Sequence, residues 1–541
     1  MIWLKLLALL LVLCLAACQD SSPPPAKPEV SAEPAYGDAL VEGSIGDASN
    51  LIPYLASDSA SSGITGLIFN GLLKLDKDLN LVSDLAESWE VSPDGLVLTF
   101  HLRQGVRWQD GQPLTAQDAL FTYKFMIDPN TPTAYAGDFL QVAKAEVLDD
   151  YTFRVHYAQP FAPALATWTG AVLPRHLLEG QDPRTSPLAL RPIGSGPFRF
   201  VKWETGSSIE LAANEDYFEG RPYLDRIIYR VIPDMATMFL ELEAGNVDLM
   251  GLTPIQYARQ TDKPKFKTRF NKYRYPASSY TYLGYNLRRP LFAERRIRQA
   301  LSYAINTEEI IDGVLLGLGQ PATGPFKPGT WAHNPELKPY PFDPKRAKEL
   351  LAEAGWADHD RDGFLDKDGQ KFSFTILTNQ GNSSRIQTAV IIQYRLKQIG
   401  IEVKVRAVEW AALLKEFIDK HNFEACILAW TLPPDPDPYD VWHSSKTEVG
   451  QLNFVGFKNA EADQLLVQAR QTFDQEARRQ AYFRFQEILY QEQPYTFLFV
   501  PDALPVVASR FQGIEPAPAG IGYNLIRWYV PKGLQKYHFE P

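Results

Sequence analysis

Asp84-Leu85-Ala86-Glu87-Ser88-Trp89-Glu90-Val91-Ser92-Pro93-Asp94-Gly95, running on through Leu96-Val97-Leu98-Thr99-Phe100-His101-Leu102-Arg103 to Gly105-Val106-Arg107-Trp108-Gln109-Asp110-Gly111, is the most legible stretch of this 541-residue chain. Trp89 to Val91 and Leu96 to Leu102 read as paired strands, with Ser92-Pro93-Asp94-Gly95 as the turn between them. Leu96, Leu98, Phe100 and Leu102 alternate onto one face, which gives the hairpin a core side. Val106 to Trp108 continues as strand, and Asp110-Gly111 turns the chain again. Thr115, with Asp118 three residues on, then caps a helix whose buried side carries Ala119, Leu120 and Tyr123.

The same local signals recur along the chain. Ile297, Ala300, Leu301, Ala304 and Ile305 share one face of a helix expected over Glu294 to Gly313. Asp343-Pro344 opens a further helix that Gly355 closes. Strand Phe372 to Thr378, helix Ser384 to Gln398 and strand Ile401 to Val405 form a βαβ unit whose strands are parallel. Two amphipathic helices, Ala462 to Phe473 and Glu476 to Tyr490, precede strand Tyr495 to Val500. The class is α/β. A body from about Tyr36 to Pro541 exceeds what one core can organise, so two or three lobes are expected.

Ahead of the body, Lys5 precedes the apolar run Leu6 to Leu15, which ends in Leu15-Ala16-Ala17-Cys18. A basic start, a short apolar stretch and small residues before a cut site predict a signal peptide over 1–17. A Cys directly after Leu-Ala-Ala resembles the lipobox of bacterial lipoproteins, which makes Cys18 the lipidated mature N-terminus. Residues 18–36 then form a Pro/Ser-rich tether with almost nothing apolar to bury. Of three cysteines only Cys426 remains in the body, within the apolar run Cys426-Ile427-Leu428-Ala429-Trp430, where it reads as a core residue.

Composition narrows the function. A formal charge of −10 without a Lys/Arg-dense patch argues against nucleic acid as a partner. No short-period repeat is present. Neither His-Glu-x-x-His, Gly-x-Ser-x-Gly nor a phosphate-binding Gly-Lys-Ser/Thr loop occurs, and the eight His show no close metal-ligand pairing. Two carboxylates suffice for a glycosidase, so a secreted hydrolase stays open as a reading of a different class.

The 84–111 stretch closely resembles the hallmark of family 5 of the extracellular solute-binding proteins, the dipeptide-, oligopeptide- and nickel-binding receptors of ABC importers. Gly194-Ser195-Gly196-Pro197-Phe198 resembles the family's glycine turn. Tyr282 to Asn286 with Arg296 to Ile305, Asn459 to Ala469, and Gln493-Pro494-Tyr495 resemble its later segments in order. The resemblance implies a two-lobed clam-shell of periplasmic-binding-protein type (class II, cluster C), with a subdomain inserted in the first lobe. Lobe I is expected at 37–61, 191–284 and 498–541, the inserted subdomain at 62–190, and lobe II at 285–497. It implies a non-catalytic, monomeric, lipid-anchored receptor facing the periplasm or cell exterior, which captures peptides, above all oligopeptides, for an ABC permease. Nickel chelates and oligosaccharides remain the alternative ligands.

The segment Ala429 to Trp442 is built from rings, carboxylates and prolines, which suit a rigid cleft-lining loop. In peptide-binding relatives an Asp a few residues after the Trp pairs with the ligand's α-ammonium, since a charged terminus leaving water needs a carboxylate. Aligned from Trp430, that position here is Pro433. Asp435 and Asp437 are the nearest carboxylates, and Tyr439 and Trp442 complete the candidate set. Asn50 and Tyr54, and Tyr282, Tyr285 and Asn286 at the entry to the second lobe, are further candidates for contact; each also reads as a core or turn residue. Asp358, Asp360, Asp362, Gly363 and Asp366 resemble the start of an EF-hand-type loop, so a structural calcium ion is considered there, although Gly369 stands where the bidentate Glu belongs. No cofactor is required.

Overall fold

Strand Ala39–Ser44 is the organising centre of the first lobe, because Ala39, Leu40 and Val41 are all buried and need cover on both faces. The computed structural model describes residues 33–433 and 435–539; the expected signal peptide, Cys18 and nearly all of the expected tether lie outside them. Around that strand runs a seven-stranded sheet in the order 270–272, 505–508, 249–251, 39–44, 226–231, 208–213, 198–204. Strand 39–44 lies parallel to 226–231, with Ala39 opposite Arg226 and Ser44 opposite Val231. Three distant stretches thus build one lobe, and a buried ion group ties them. Arg510 reaches Asp38 at 3.2 Å and Asp248 at 2.9 Å. Burial pushes the Asp248 carboxyl up to about 6 against the pull of Arg510.

The second sheet runs 275–276, 495–503, 279–285, 425–431, 373–379, 402–408, with 319–321 also paired to 495–503. Its βαβ unit is parallel as expected: Ser373 faces Glu402 and Asn379 faces Val408, joined by helix Ser383–Lys397. The lobe boundaries at 284 and 498 need correction. Strand Ser279–Tyr285 pairs with Ala425–Thr431 throughout, and Tyr495–Ala503 is one nine-residue strand of this same sheet. Tyr280, Tyr282, Leu283 and Tyr285 are all buried, which requires cover on both faces, and the second lobe supplies it. The chain therefore crosses between lobes at Tyr273-Arg274 and at Leu504, the single residue between strands of the two sheets. Arg274 pairs with Asp502 at 2.6 Å across the two crossings.

The inserted subdomain carries a four-stranded antiparallel sheet, 86–91, 97–102, 152–157, 142–149. Trp89 faces Phe100, and Gly95 takes the positive φ of 71° that the turn needs. Leu98, Phe100 and Leu102 are buried, and Leu96 is half-buried. Thr115 and Asp118 form the capping box of helix Ala116–Ile127. Val106 to Trp108 is reduced to one bridge, Arg107 with Pro113. The helix expected over 294–313 is two, Arg295–Ala304 and Thr307–Val314. Asn306 ends the first by capping the second, its side chain accepting from the Glu309 amide at 3.1 Å.

Gly194 fastens the subdomain to the first lobe. A Cβ on it would lie 1.9 Å from the Ile68 carbonyl oxygen, and the flanking Gly196 amide donates to that same oxygen at 2.7 Å. Because the obstruction is backbone, Gly194→Ala is expected to lower stability by about 1–3 kcal/mol or more, read as a shift of the urea midpoint. An unshifted midpoint would mean that the turn relaxes freely.

Candidate ligand site

The acidic, aromatic segment after Trp430 is committed to the fold, which corrects the expectation for its carboxylates. Arg478 grips Asp435 through both terminal nitrogens, at 3.0 and 2.6 Å. Arg470 donates from Nε to Asp437 at 2.7 Å and from Nη2 to Asp138 at 2.6 Å. Its guanidinium lies 3.9 Å from the centre of the Tyr439 ring and is only 5% exposed. Asp138 belongs to the short helix Ala136–Phe139 of the inserted subdomain, and the Ala162 amide of that subdomain donates to the Arg470 carbonyl at 2.6 Å. Arg470 is thus a clamp between subdomain and second lobe. Burial pushes Asp138 up to about 7, opposed by Arg470. Neither Asp435 nor Asp437 is left free for a ligand ammonium.

The expected ring contacts are corrected in the same way. Trp442 is fully buried against Tyr495 at 4.5 Å, and Tyr282 stacks on Tyr495 at 4.0 Å. The Tyr285 hydroxyl and Thr496 share a 2.8 Å hydrogen bond. Asn286 donates to the His421 and Phe423 carbonyls at 3.1 and 2.9 Å. These four side chains are core because the strand carrying them, or packed on them, is central in the second sheet. Trp430 is half-buried and donates from Nε1 to Tyr495 Oη at 3.2 Å. Asn50 accepts from the Ile52 amide, and Tyr54 donates to the Ala171 carbonyl at 2.8 Å. Both line a cavity of about 500 Å³ between the first lobe and the inserted subdomain, away from the facing lobes.

Between the lobes lie two adjoining cavities of about 450 and 220 Å³ that share Ile45, Asn382 and Arg385. The first lobe contributes the end of strand 39–44 and the loop after it, from Glu42 to Ala48, with Tyr229 beside them. The second lobe contributes Asn379, Asn382, Arg385 and Trp410, whose ring closes over Gly46. Ala429 and Thr281 line the smaller space. Such a cavity, walled by two bodies that meet through two crossings, can admit a ligand when open and bury it when closed.

Its electrostatics are uneven. Arg385 donates to Asn379 Oδ1 at 2.8 Å and has no acid partner among the described residues. Burial lowers it to about 10, so it stays charged at neutral pH. Asn382 caps the fifteen-residue helix Ser383–Lys397, whose positive N-terminal end faces the same space. On the other wall, burial pushes Glu42 up to about 7. Asp47 is occupied by Trp203 Nε1 at 3.0 Å and the Gly206 amide at 2.7 Å. Glu42, Arg385 and Trp410 were not among the residues singled out from sequence. A charge interrupting Leu40-Val41 was the available signal for Glu42; Arg385 is hidden in an ordinary helix start.

In the acidic loop, oxygens of Asp358, Asp360 and Asp366 gather within 4.8 Å of one another. Asp362 does not join them but pairs with Lys371 at 2.6 Å, and His359 takes Asp366 at 3.0 Å. Three carboxylates supply about half of the oxygens calcium takes. Cys426 is fully buried, which pushes its thiol well above its ordinary range. In protein lacking residues 1–18 it should not react with maleimide until denatured; labelling of the native protein at a free-thiol rate would contradict this.

Comparison with known proteins places these features. The family model for the middle region of the bacterial extracellular solute-binding proteins, family 5, matches residues 80–451. The oligopeptide-binding protein AppA of Bacillus subtilis is 36% identical over 98% of this chain and 99% of its own. Its structure in complex with a nonapeptide covers 92% of this chain and 100% of that one, with a TM-score of 0.88 and 35% identity. DppA from Helicobacter pylori, solved in complex with the peptide STSA, is 30% identical with a TM-score of 0.82, covering 92% of this chain and 99% of that one. NikZ from Campylobacter jejuni, solved with Ni(L-His), also gives 0.82, at 28% identity over 91% of this chain and 99% of that one.

Proposed function

This chain belongs to family 5 of the bacterial extracellular solute-binding proteins, and from that premise we propose that it captures peptides between its lobes and delivers them to an ABC permease. One observation carries the reading: an interlobe cavity whose second-lobe wall presents Arg385 beside the N-terminal end of a long helix. A peptide's terminal carboxylate needs such a site on leaving water. A guanidinium without an acid partner and a helix N-terminus both answer it. The nonapeptide and STSA complexes of the two relatives favour peptides over other ligands of the family.

On this reading the precursor is exported, Cys18 carries lipid, and residues 19–36 hold a monomeric receptor near the membrane, without turnover of the ligand. Lipid chains anchor such a body because each buried methylene contributes about 0.8 kcal/mol.

Native mass spectrometry of the protein lacking residues 1–18, purified from rich medium, tests the reading. A ladder of unmodified peptide masses, released on unfolding, is the expected result. A single invariant mass matching a nickel complex, or peptides cleaved on incubation, would overturn it.

A further inference from the structure

The interlobe cavity contains a carboxylate that the fold does not use. Glu42 stands on the central strand of the first lobe, directly across from Tyr229 in the neighbouring strand. Six other buried or half-buried acids are answered: Asp38 and Asp248 by Arg510, Asp435 by Arg478, Asp437 and Asp138 by Arg470, and Asp84 by Asn70. Glu42 has neither a hydrogen-bond nor an ion-pair partner among the described residues, and it lines the cavity half-buried.

The groups around it do not neutralise it. Asp47, from the loop that follows, is held by Trp203 and Gly206. Tyr229 offers an uncharged phenol. Helix Ser59–Ile68 and strand Ser208–Ala213 contribute Ser59, Ala60, Gly63, Ile64 and Ile209, none of them charged. Arg385, on the opposite lobe, forms no ion pair with it and turns toward Asn379. One cavity therefore has an unpaired acid on one lobe and an unpaired base on the other. A half-buried carboxylate without a partner, lining a cavity, is satisfied when a cation arrives.

We propose that Glu42 is a specificity-determining residue of the receptor: it seats an ammonium or guanidinium group of the bound peptide while the peptide's carboxylate meets Arg385. The inference rests on peptide capture in the cleft and names the class of peptide preferred. The cationic group has two possible sources, the peptide's own α-ammonium and a Lys or Arg side chain.

Calorimetry on the protein lacking residues 1–18 separates the cases, using three pentapeptides with free carboxylates. One contains Lys and has a free N-terminus, one is Ala-only with a free N-terminus, and one is Ala-only and N-acetylated. Glu42→Gln should weaken a cationic probe by about 10-fold or more, the scale of one charge-assisted hydrogen bond, and leave the acetylated probe unchanged or tighter. Glu42→Asp, which keeps the charge, should retain the preference. If acetylation alone weakens wild-type binding, the α-ammonium is seated; if only loss of Lys does, the side chain is.

The pH dependence gives a second readout. Because a protonated Glu42 attracts no cation, wild-type affinity for the cationic probe should rise with pH through about 7, and Glu42→Gln should flatten that rise. Equal weakening of all three probes by Glu42→Gln, or no weakening of any, would overturn the assignment while leaving peptide capture intact. Failure of every probe to bind wild type would overturn peptide capture itself.

Discussion

Replacing Arg470 with methionine is expected to cost roughly 3–5 kcal/mol, the usual consequence of removing one partner from a buried ion group. The methionine keeps the stem packed near Phe161 and Tyr439 but takes from Asp437 and Asp138 the guanidinium they share. Separation of the subdomain from the second lobe rehydrates both acids, so the loss falls on the closed arrangement. Urea titration should show the lower midpoint, and peptide should dissociate faster. Arg470→Lys should be intermediate, since a single ammonium cannot fork between two carboxylates as a guanidinium does. Arg470→Met combined with Asp437→Asn should recover much of the loss, because one orphaned charge goes with it. A methionine variant as stable as wild type would mean that the clamp contributes nothing net.

Arg385→Met should lower peptide affinity by about 2–4 kcal/mol, which is roughly thirtyfold to several hundredfold. Its guanidinium is charged, fixed by Asn379 and unmatched by any acid among the described residues. The chemistry predicts a matching loss from the ligand side. Amidating the peptide's C-terminus should weaken binding to wild type by a similar factor and leave the methionine variant indifferent. Because Arg385 is an uncompensated charge in the unliganded protein, its removal should leave thermal stability unchanged or raised. That separation of stability from binding is what a site residue gives and a structural residue does not. Loss of affinity for free and amidated peptides alike would place the carboxylate elsewhere.

Much of the fold was legible because its signals are local. The Asp94-Gly95 turn, the Thr115 cap, the Asp343-Pro344 helix start and the βαβ unit at 373–408 each specify their own geometry over a few residues. The lobe crossings are not local. Ser279–Tyr285 is apolar and aromatic on both faces, which requires burial without saying in which sheet. Leu504 gives no sign that the strands on either side of it belong to different lobes.

The site misled in a consistent way. Rings and carboxylates after Trp430 look like ligand chemistry until Arg470 and Arg478 are brought onto them from helices that begin well downstream. A sequence shows charges without their partners, so acids already matched in the fold read the same as acids left open. The converse holds for Glu42 and Arg385. Each is an ordinary residue in its own element, and only the meeting of two lobes puts them into one cavity.

The two lobes are expected to close on a peptide held between them. Small-angle X-ray scattering of the protein lacking residues 1–18, before and after saturation with a peptide whose binding is verified by calorimetry, tests it most directly. A smaller radius of gyration is expected in the saturated sample; an unchanged scattering profile at saturation would mean that the lobes do not close on the peptide.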